Sequence, residues 1–439
     1  MGKRTGVGKQ MQAKYSPFCI QTHCVAHRLN LACIDSIKKI EFMVKFRDKF
    51  NSLYNFISAS SRRILALRRI QTLLEEPELT IKEPHSIRWL GLKNAVEAVF
   101  ESFESVLSTL SKFAAEKNAV AKGLYKYFAS YKVALVIAFL LDVHTELAVL
   151  SCSLQKKNLL FSELRPLIEG TLNKVDTMKA HDGQSLKEMK TRIETKNEET
   201  FVGGEKLLFA KTMNGQFETL RAEYLKNLMK NIKNRFKEED TAIFTDMSMA
   251  LKPLTVNTVF GEESGDAVAH LGALYGAQEE VKVIEGDLHQ GLEEHIKLVG
   301  PLLQPDKLLD EWPRLKGMIN GTYSKLLPEQ LCKRVILLHK DSMPNCAKLA
   351  SIALCMQLTS VECERSFSTQ NRLKNKFRAS LGSEKLDLLL KLSMLGPSLQ
   401  SFDSRPAIKH WLRKRRRKGR LFCDYQPRPP KLAKTCDTE

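Results

Sequence analysis

Apolar residues recur at helical spacing over most of the chain. Phe46, Phe50, Leu53 and Ile57 predict one helix, because positions separated by three, four or seven residues share a face. A second helix is predicted from Val96, Val99, Phe100, Phe103, Val106, Leu107 and Leu110. The long apolar stretch 125–154 is typical of the central helix of a bundle, and further helices are predicted at 217–232, 266–285, 288–300, 306–320 and, as three short helices, at 345–396. The pattern therefore predicts a mostly α protein.

The remaining segments interrupt this pattern. Residues 1–17 are polar and predict a loop, and 18–24 have the character of a short strand. Residues 179–205 alternate Lys and Glu around glycines, which indicates a linker or long loop. The most apolar run, 133–141, is too short to span a bilayer, so it predicts a buried helix segment and no membrane partner.

Positive charge is concentrated near the C-terminus. The net charge is +19, and residues 405–420 hold nine Lys or Arg and no Asp or Glu. The unbroken run is Arg413, Lys414, Arg415, Arg416, Arg417 and Lys418. It predicts a nuclear localisation signal, a non-specific DNA or RNA contact, or both, with a solvated basic surface as the alternative. The ten cysteines form no regular framework and the N-terminus lacks a secretory signal, which indicates free thiols in a reducing compartment.

Several short motifs carry candidate chemistry. Cys24 and His27 have the CxxH spacing of two zinc ligands, although a buried Cys beside a hydrogen-bonded His is the preferred interpretation, so no metal is predicted. Arg88-Trp89, taken alone, is typical of a packed aromatic beside a surface charge, and Glu364-Arg365 of a surface ion pair. No cofactor and no small-molecule substrate are indicated.

The order of these motifs resembles a known family. CxxH at Cys24 and His27 runs into Arg-Leu-Asn-Leu at 28–31; Arg88-Trp89 follows, and then a Ser-x-x-x-Glu-Arg-x-Phe-Ser motif that begins at Ser360. Together they are similar to hAT-superfamily transposases, and look closest to the domesticated members labelled zinc finger protein 862-like. The resemblance covers residues 1–396.

The resemblance implies a fold and a set of roles. The fold class is mostly α, with a truncated RNase H-like core remnant interrupted by a large helical insertion domain. It implies a core remnant with the CxxH motif (1–36), the helical insertion (37–340), a dimerisation region that completes the core (341–396) and a basic, disordered tail (397–439). By motif match, Glu364 corresponds to the family's catalytic Glu and is followed by Arg365 and Phe367. Arg88 and Trp89 match the pair that assists strand handling.

The sequence departs from the family at its catalytic carboxylates. The family uses two Asp and one Glu to hold two metals, and both Asp precede the CxxH motif, whereas no Asp or Glu precedes Asp35 here. Asp35 follows the motif in a helical pattern and is a poor substitute. We therefore expect Glu364 to be vestigial and the chain to be no enzyme.

Dimerisation is the remaining expectation. Ser383 is expected to cap a helix whose apolar face includes Leu386, Leu389 and Leu390. That face has two potential partners, residues 373 and 377 of the same chain or a second copy, and the resemblance favours a homodimer. The expected protein is a nuclear, non-catalytic, dimerising remnant that binds nucleic acid non-specifically. The alternatives are a fragment of a fuller transposase with DNA-binding or strand-transfer activity, and a domesticated transcription or chromatin regulator.

Overall fold

A computed structural model describes residues 6–84, 91–156, 161–208, 210–237, 241–252, 262–285, 293–356, 358–398 and 400–414. The chain divides into two compact units, Met1–Glu362 and Cys363–Glu439. Within the described residues the structure is mostly helical, which confirms the predicted class. The RNase H-like core remnant stays a prediction.

The first unit is built mainly from helices. Those up to residue 177 are α1 (Val7–Lys14), α2 (Val25–Lys38), α3 (Glu41–Ser58), α4 (Ser61–Leu73), α5 (Gly91–Glu101), α6 (Phe103–Ala115), α7 (Ala119–Phe128), α8 (Tyr131–Leu154) and α9 (Phe161–Thr177). Those that follow are α10 (Gln184–Arg192), α11 (Ala210–Arg235), α12 (Ala242–Leu251), α13 (Glu262–Gly276), α14 (Pro305–Asn320), α15 (Pro328–Leu338) and α16 (Pro344–Cys355). The next helix, α17 (Val361–Leu373), crosses the boundary between the units.

Two antiparallel sheets accompany these helices. The first has the order β1 (Ile193–Lys196), β2 (Glu199–Val202), β3 (Glu205–Leu207), and the second is a hairpin of β4 (Glu279–Glu285) and β5 (Glu293–Val299). In the first sheet Ile193 is paired with Val202, and in the second Glu279 is paired with Val299. Helix α1 packs against β4.

The apolar residues of the first unit form two cores. The first core contains the buried residues between Val25 and Phe244, completed by Leu358 and Val361. Helix α8 lies in this core and is buried on nearly all sides. By length and composition it is apolar enough to cross a membrane, yet 78% of its most apolar window is buried inside the fold. The prediction of a central bundle helix is therefore confirmed. The second core lies between Met247 and Ala353.

Two helices begin on a carboxylate that belongs to another helix. In the second core, buried Glu311 of α14 accepts hydrogen bonds from the backbone N–H groups of Asn345 (2.8 Å) and Cys346 (2.9 Å) at the start of α16. In the first core, Asp142 of α8 accepts from the N–H groups of residues 185 and 186 at the start of α10. Gly183 precedes α10, where a Cβ atom would lie 2.3 Å from the Asp142 carboxylate. These contacts satisfy N–H groups that a helix terminus leaves unpaired.

Five predicted segments were wrong in their secondary structure. Residues 1–17 include helix α1, and 18–24 form no strand; the side chains of Phe18 and Ile20 pack against the second core instead. The predicted linker 179–205 contains α10 and the strands β1 and β2. The predicted helix 288–300 contains β5, and the one at 266–285 ends at Gly276 and is followed by β4.

The second unit contains the rest of α17, a short 3₁₀ helix (Lys376–Arg378), α18 (Ser383–Leu395) and α19 (Arg405–Lys414). Helices α16, α17 and α18 are the three short helices predicted for 345–396, so that prediction is confirmed. Ser383 is the first residue of α18 rather than its cap, since Gly382 occupies that position and no side chain caps the helix. Part of the predicted disordered tail is helical, because Pro406 suits a first turn and apolar Ile408 and Trp411 follow at helical spacing.

Candidate functional site

Two motifs that lie far apart in the sequence meet in the first unit. Cys24, at the N-terminus of α2, receives a hydrogen bond from the backbone N–H of Ser360 (3.4 Å) and directs its own thiol towards Thr359 Oγ1 (3.9 Å). The backbone N–H of Val25 donates to the carbonyl oxygen of Leu358 at 3.0 Å. The start of the CxxH motif therefore contacts the start of the Ser-x-x-x-Glu motif. We call this contact the motif junction.

Apolar packing on both sides holds the junction together. Val25, Ala26 and Leu29 of α2 are buried in the first core, and so are Leu358 and Val361. A helix start leaves N–H groups without an intrahelical partner, and the carbonyl oxygen of Leu358 satisfies the first of these in α2. The junction thus combines a shared core with hydrogen bonds at a helix N-terminus.

The junction has distinct electrostatics. Partial burial disfavours the Cys24 thiolate, but hydrogen bonds from Ser360, and from the N–H of His27, together hold the pKa of this thiol below its usual value. The rings of His23 and His27 lie 5.1 Å apart. Burial lowers the pKa of His23, and the charges of His27 and Arg28 lower it further. The arrangement favours a neutral His23 beside a thiol that ionises more readily than a free cysteine.

The motif junction offers few metal ligands. Among the described residues, no group of three or more His, Cys, Asp or Glu side chains is placed to hold a metal ion. The expectation that Cys24 and His27 hold no metal stays a prediction.

Asp35, the first acidic residue of the chain, is engaged in ion pairs. Its carboxylate lies 2.6 Å from Arg235 Nη2 and 3.0 Å from Lys38 Nζ. Slight burial opposes ionisation, but the hydrogen bonds from Arg235 and Lys38 hold the pKa of Asp35 below its ordinary value. These contacts give Asp35 a structural role.

The other family motif residues fall in different parts of the chain. Arg88 and Trp89 lie outside the described residues. Glu364 and Arg365 lie on α17 within the second unit, where each has an interaction partner, and the Phe367 side chain is 64% exposed. Of the basic run, Arg413 and Lys414 end α19, and residues 415–418 lie outside the described part of the chain.

Helix α18 carries the predicted dimerisation residues, and none of its side chains is buried. Leu386, Leu389 and Leu390 are half-buried. A second set of leucines is more exposed: Leu388 (60%), Leu392 (64%) and Leu395 (81%). Their spacing of four and three residues places them on one face of the helix. Leu388 and Leu395 were not among the predicted dimerisation residues, although the same periodicity rule identifies them.

The dimerisation helix lies within a region of known type. Residues 305–393 match the family model described as the hAT family C-terminal dimerisation region. The match spans α14, α15, α16 and α17 and most of α18. The match therefore supports the conclusion that this chain is related to hAT-family transposases and dimerises through its C-terminal region.

Proposed function

We propose that this chain is a non-catalytic, nuclear, transposase-derived protein that dimerises through its C-terminal region and binds nucleic acid without sequence preference. One observation carries the proposal: the matched dimerisation region includes α18, a helix with leucines exposed on one face. A run of exposed leucines on a folded protein is typical of a surface that another protein covers. The partner proposed is a second copy of this chain.

The leucine face has enough apolar surface to matter energetically. Burying one leucine side chain contributes about 1.5–3 kcal/mol, so removing two from an interface costs about 3–6 kcal/mol. Leu388→Glu combined with Leu392→Glu is therefore expected to weaken dimerisation by roughly a hundredfold or more.

Sedimentation velocity over a concentration series measures this effect. Leu73→Glu is the matched control, because Leu73 is 80% exposed on α4, outside the matched region. The control is expected to sediment like the parent chain, and the double variant as a monomer. A parent chain that stays monomeric at high micromolar concentration contradicts the dimer, and so does a double variant that dimerises normally.

The proposed loss of catalysis rests on the metal-binding carboxylates. Two-metal phosphoryl transfer requires several acidic ligands around a pair of ions about 4 Å apart. Asp35, the acidic residue nearest the CxxH motif in sequence, is held by Arg235 and Lys38 instead. Strand cleavage of labelled DNA ends with Mg²⁺ or Mn²⁺ is the direct assay. Metal-dependent cleavage that disappears in Glu364→Gln contradicts the proposal.

Nuclear import and nucleic-acid binding are proposed from the basic run 413–418. Such a run neutralises phosphates irrespective of sequence, so the affinity falls steeply with salt. Replacing all six residues with Gln is expected to move a fluorescent fusion out of the nucleus and to weaken DNA binding. Lys226→Gln, Lys230→Gln and Lys233→Gln form a control for charge loss on an exposed helix face. Unchanged localisation of the six-residue variant contradicts the import role.

A further inference from the structure

A groove on the first unit combines aromatic walls with three lysine side chains. It has a volume of about 420 Å³ and lies where α3, α7, α8 and α11 meet. The residues that matter are Phe42 and Lys49 of α3, Lys126 and Tyr127 of α7, Lys132 of α8 and Gln216 of α11. We call it the lysine groove.

The charge in the groove has one sign. Among the described residues, its lining contains Lys49, Lys126 and Lys132 and no Asp or Glu. Within the described part of the chain, none of the three ammonium groups has a carboxylate partner within 4.0 Å. Asp48, the acidic neighbour of Lys49 in sequence, lies 4.0 Å from Arg47. Like charges gathered without a counter-charge repel one another, and an anion in the groove relieves that repulsion.

Aromatic rings lie beneath two of the lysines. Lys132 Nζ is 4.4 Å from the centre of the Phe42 ring, and Lys49 Nζ is 5.9 Å from that of Tyr127. These cation–π contacts hold the ammonium groups at the groove wall. Partial burial lowers the pKa of Lys132, which is the mark of a cation that lacks full solvation.

Tyr127 presents carbon rather than oxygen to the groove. Its hydroxyl is buried and has no hydrogen-bond partner among the described residues, although the residue itself is only half-buried. Lys132 and Val133 stand in the first turn of α8, where the helix dipole adds partial positive charge. The groove thus offers cations for phosphate and ring carbon for a flat, apolar surface.

From this arrangement we infer that the lysine groove binds single-stranded nucleic acid, with phosphates at Lys49, Lys126 and Lys132 and a base against Phe42 and Tyr127. Lys132 and Lys49 then turn from the rings towards the phosphates, which frees the ring faces for the base. Proteins bind unpaired strands in this way, through a basic groove and aromatic stacking platforms. In a duplex the bases are stacked on one another, so their faces cannot pack against Phe42 and Tyr127, and only the phosphates are accessible to the groove. The inference rests on the proposed nucleic-acid binding and assigns part of it to the folded unit rather than to the basic run.

Binding of a fluorescein-labelled oligothymidylate to the full chain, followed by anisotropy over a salt series, tests the lysines. The groove variant combines Lys49→Gln, Lys126→Gln and Lys132→Gln. Loss of three phosphate contacts to a single strand is expected to reduce the slope of log K against log salt by about 2, with roughly tenfold weaker binding at moderate salt. The control combines Lys226→Gln, Lys230→Gln and Lys233→Gln, which removes the same charge from α11.

Photocrosslinking locates the strand directly. Oligothymidylate carrying 5-iodouracil is irradiated with the full chain, and mass spectrometry identifies the crosslinked peptides. Attachment at Phe42 or Tyr127 supports the inference. Unlabelled duplex of the same length and free thymidine monophosphate serve as competitors, and both are expected to displace the probe less well than the unlabelled single strand. Displacement by the mononucleotide at equal phosphate concentration overturns the inference in favour of a nucleotide site.

The two proposals fail in different ways. If the groove and control variants bind equally well and crosslinks fall only within 405–439, the lysine groove is not a binding site, and nucleic-acid binding through the basic run stands. If the parent chain binds neither single-stranded nor duplex DNA at low salt, both proposals are wrong. Circular dichroism of the groove variant shows whether the fold is intact, and an intact fold is expected because none of the three lysines is buried.

Discussion

The buried carboxylate of Glu311 provides the sharpest test of how the matched region is held together. Its side chain is 7% exposed and accepts three hydrogen bonds, from the N–H groups of Asn345 and Cys346 and from Asn345 Nδ2 at 2.8 Å. The Asn345 Oδ1 atom in turn accepts from the N–H of Gln304 at 2.9 Å. One carboxylate therefore joins α14 to the start of α16 and to the residue before α14. Glu311→Gln keeps the size of the side chain and removes its charge.

The expected loss follows from this network. The amide oxygen of glutamine can accept from the two backbone N–H groups, which leaves its NH₂ group facing the NH₂ group of Asn345. Turning the Asn345 amide breaks its bond with Gln304, so one buried donor is unsatisfied in either orientation, at a cost of about 1–3 kcal/mol. Removing negative charge from a helix N-terminus costs about 0.3–2 kcal/mol more. We expect Glu311→Gln to destabilise the second core by about 3 kcal/mol.

Urea unfolding followed by Trp312 fluorescence measures this value locally. Trp312 packs against the second core and donates to the Ala250 carbonyl oxygen at 3.3 Å, and Trp89→Phe with Trp411→Phe removes the other tryptophans. With a urea dependence of about 1–3 kcal/mol per M, the midpoint is expected to fall by about 1–3 M.

The same substitution on the surface provides the control. Glu329 forms an exposed i,i+4 pair with Lys333, so Glu329→Gln is expected to cost about 0.3–0.5 kcal/mol. Equal midpoints for the two variants refute the argument that the Glu311 carboxylate secures α16.

Three further predictions concern titratable groups. Burial lowers the pKa of His144 to about 4, so between about pH 6.5 and 4 only the unfolded chain binds a proton at this residue. The free energy of unfolding therefore decreases by about 1.4 kcal/mol for each unit that the pH falls in this window. His144→Gln is expected to flatten this part of a urea-midpoint profile, and an unchanged profile shows that other groups dominate. The Cys24 thiol has a lowered pKa, whereas burial and the Glu311 carboxylate raise the pKa of Cys346 to about 12. Cys24 is therefore expected to react with a disulfide reagent at pH 8 well before Cys346. Mass spectrometry of the labelled peptides checks the order. Tyr127→Phe removes a buried hydroxyl that has no hydrogen-bond partner among the described residues, so the free energy of unfolding in urea is expected to rise or stay level. A decrease of more than about 1 kcal/mol contradicts this and shows that the hydroxyl makes a stabilising hydrogen bond.

The sequence predicted helices well where burial follows one helical face. Phe46, Phe50, Leu53 and Ile57 are all buried on α3, and the apolar run at 125–154 contains the fully packed α8. The helix predicted across residues 96–110 is divided at Ser102, whose hydroxyl donates to the Ala98 carbonyl oxygen. Such a bond competes with helical geometry and is not visible from spacing alone.

The hairpins were missed although their turns carry a signal. Asn197 and Glu198 have positive φ angles of 50° and 66°, and Gly203 and Gly204 have 51° and 83°. Two-residue turns of this kind match the twist of paired strands and favour Asn and Gly. By composition the same residues indicate a linker, since the strands between the turns are short and largely exposed.

The candidate site was predictable as a set of motifs and not as a geometry. The motif order led to the same family as the match at 305–393. The contact of Cys24 with Thr359 and Ser360 joins positions 335 and 336 residues apart, for which no local pattern provides a signal. The spacing of the α18 leucines is visible in the sequence, but their exposure is not, since burial depends on which neighbours the fold supplies.

The motif junction also bears on how the chain is made. A ribosome adds roughly 5–20 residues per second, so about 20–70 s pass between the emergence of Cys24 and that of its partner segment 335 positions later. Throughout that interval the start of α2 lacks the carbonyl oxygen and the apolar side chains that complete the first core. Helix α2, near the start of the first unit, is thus among the last parts of that unit to be completed. We expect apolar side chains at the start of α2 to stay partly uncovered until synthesis has passed residue 361.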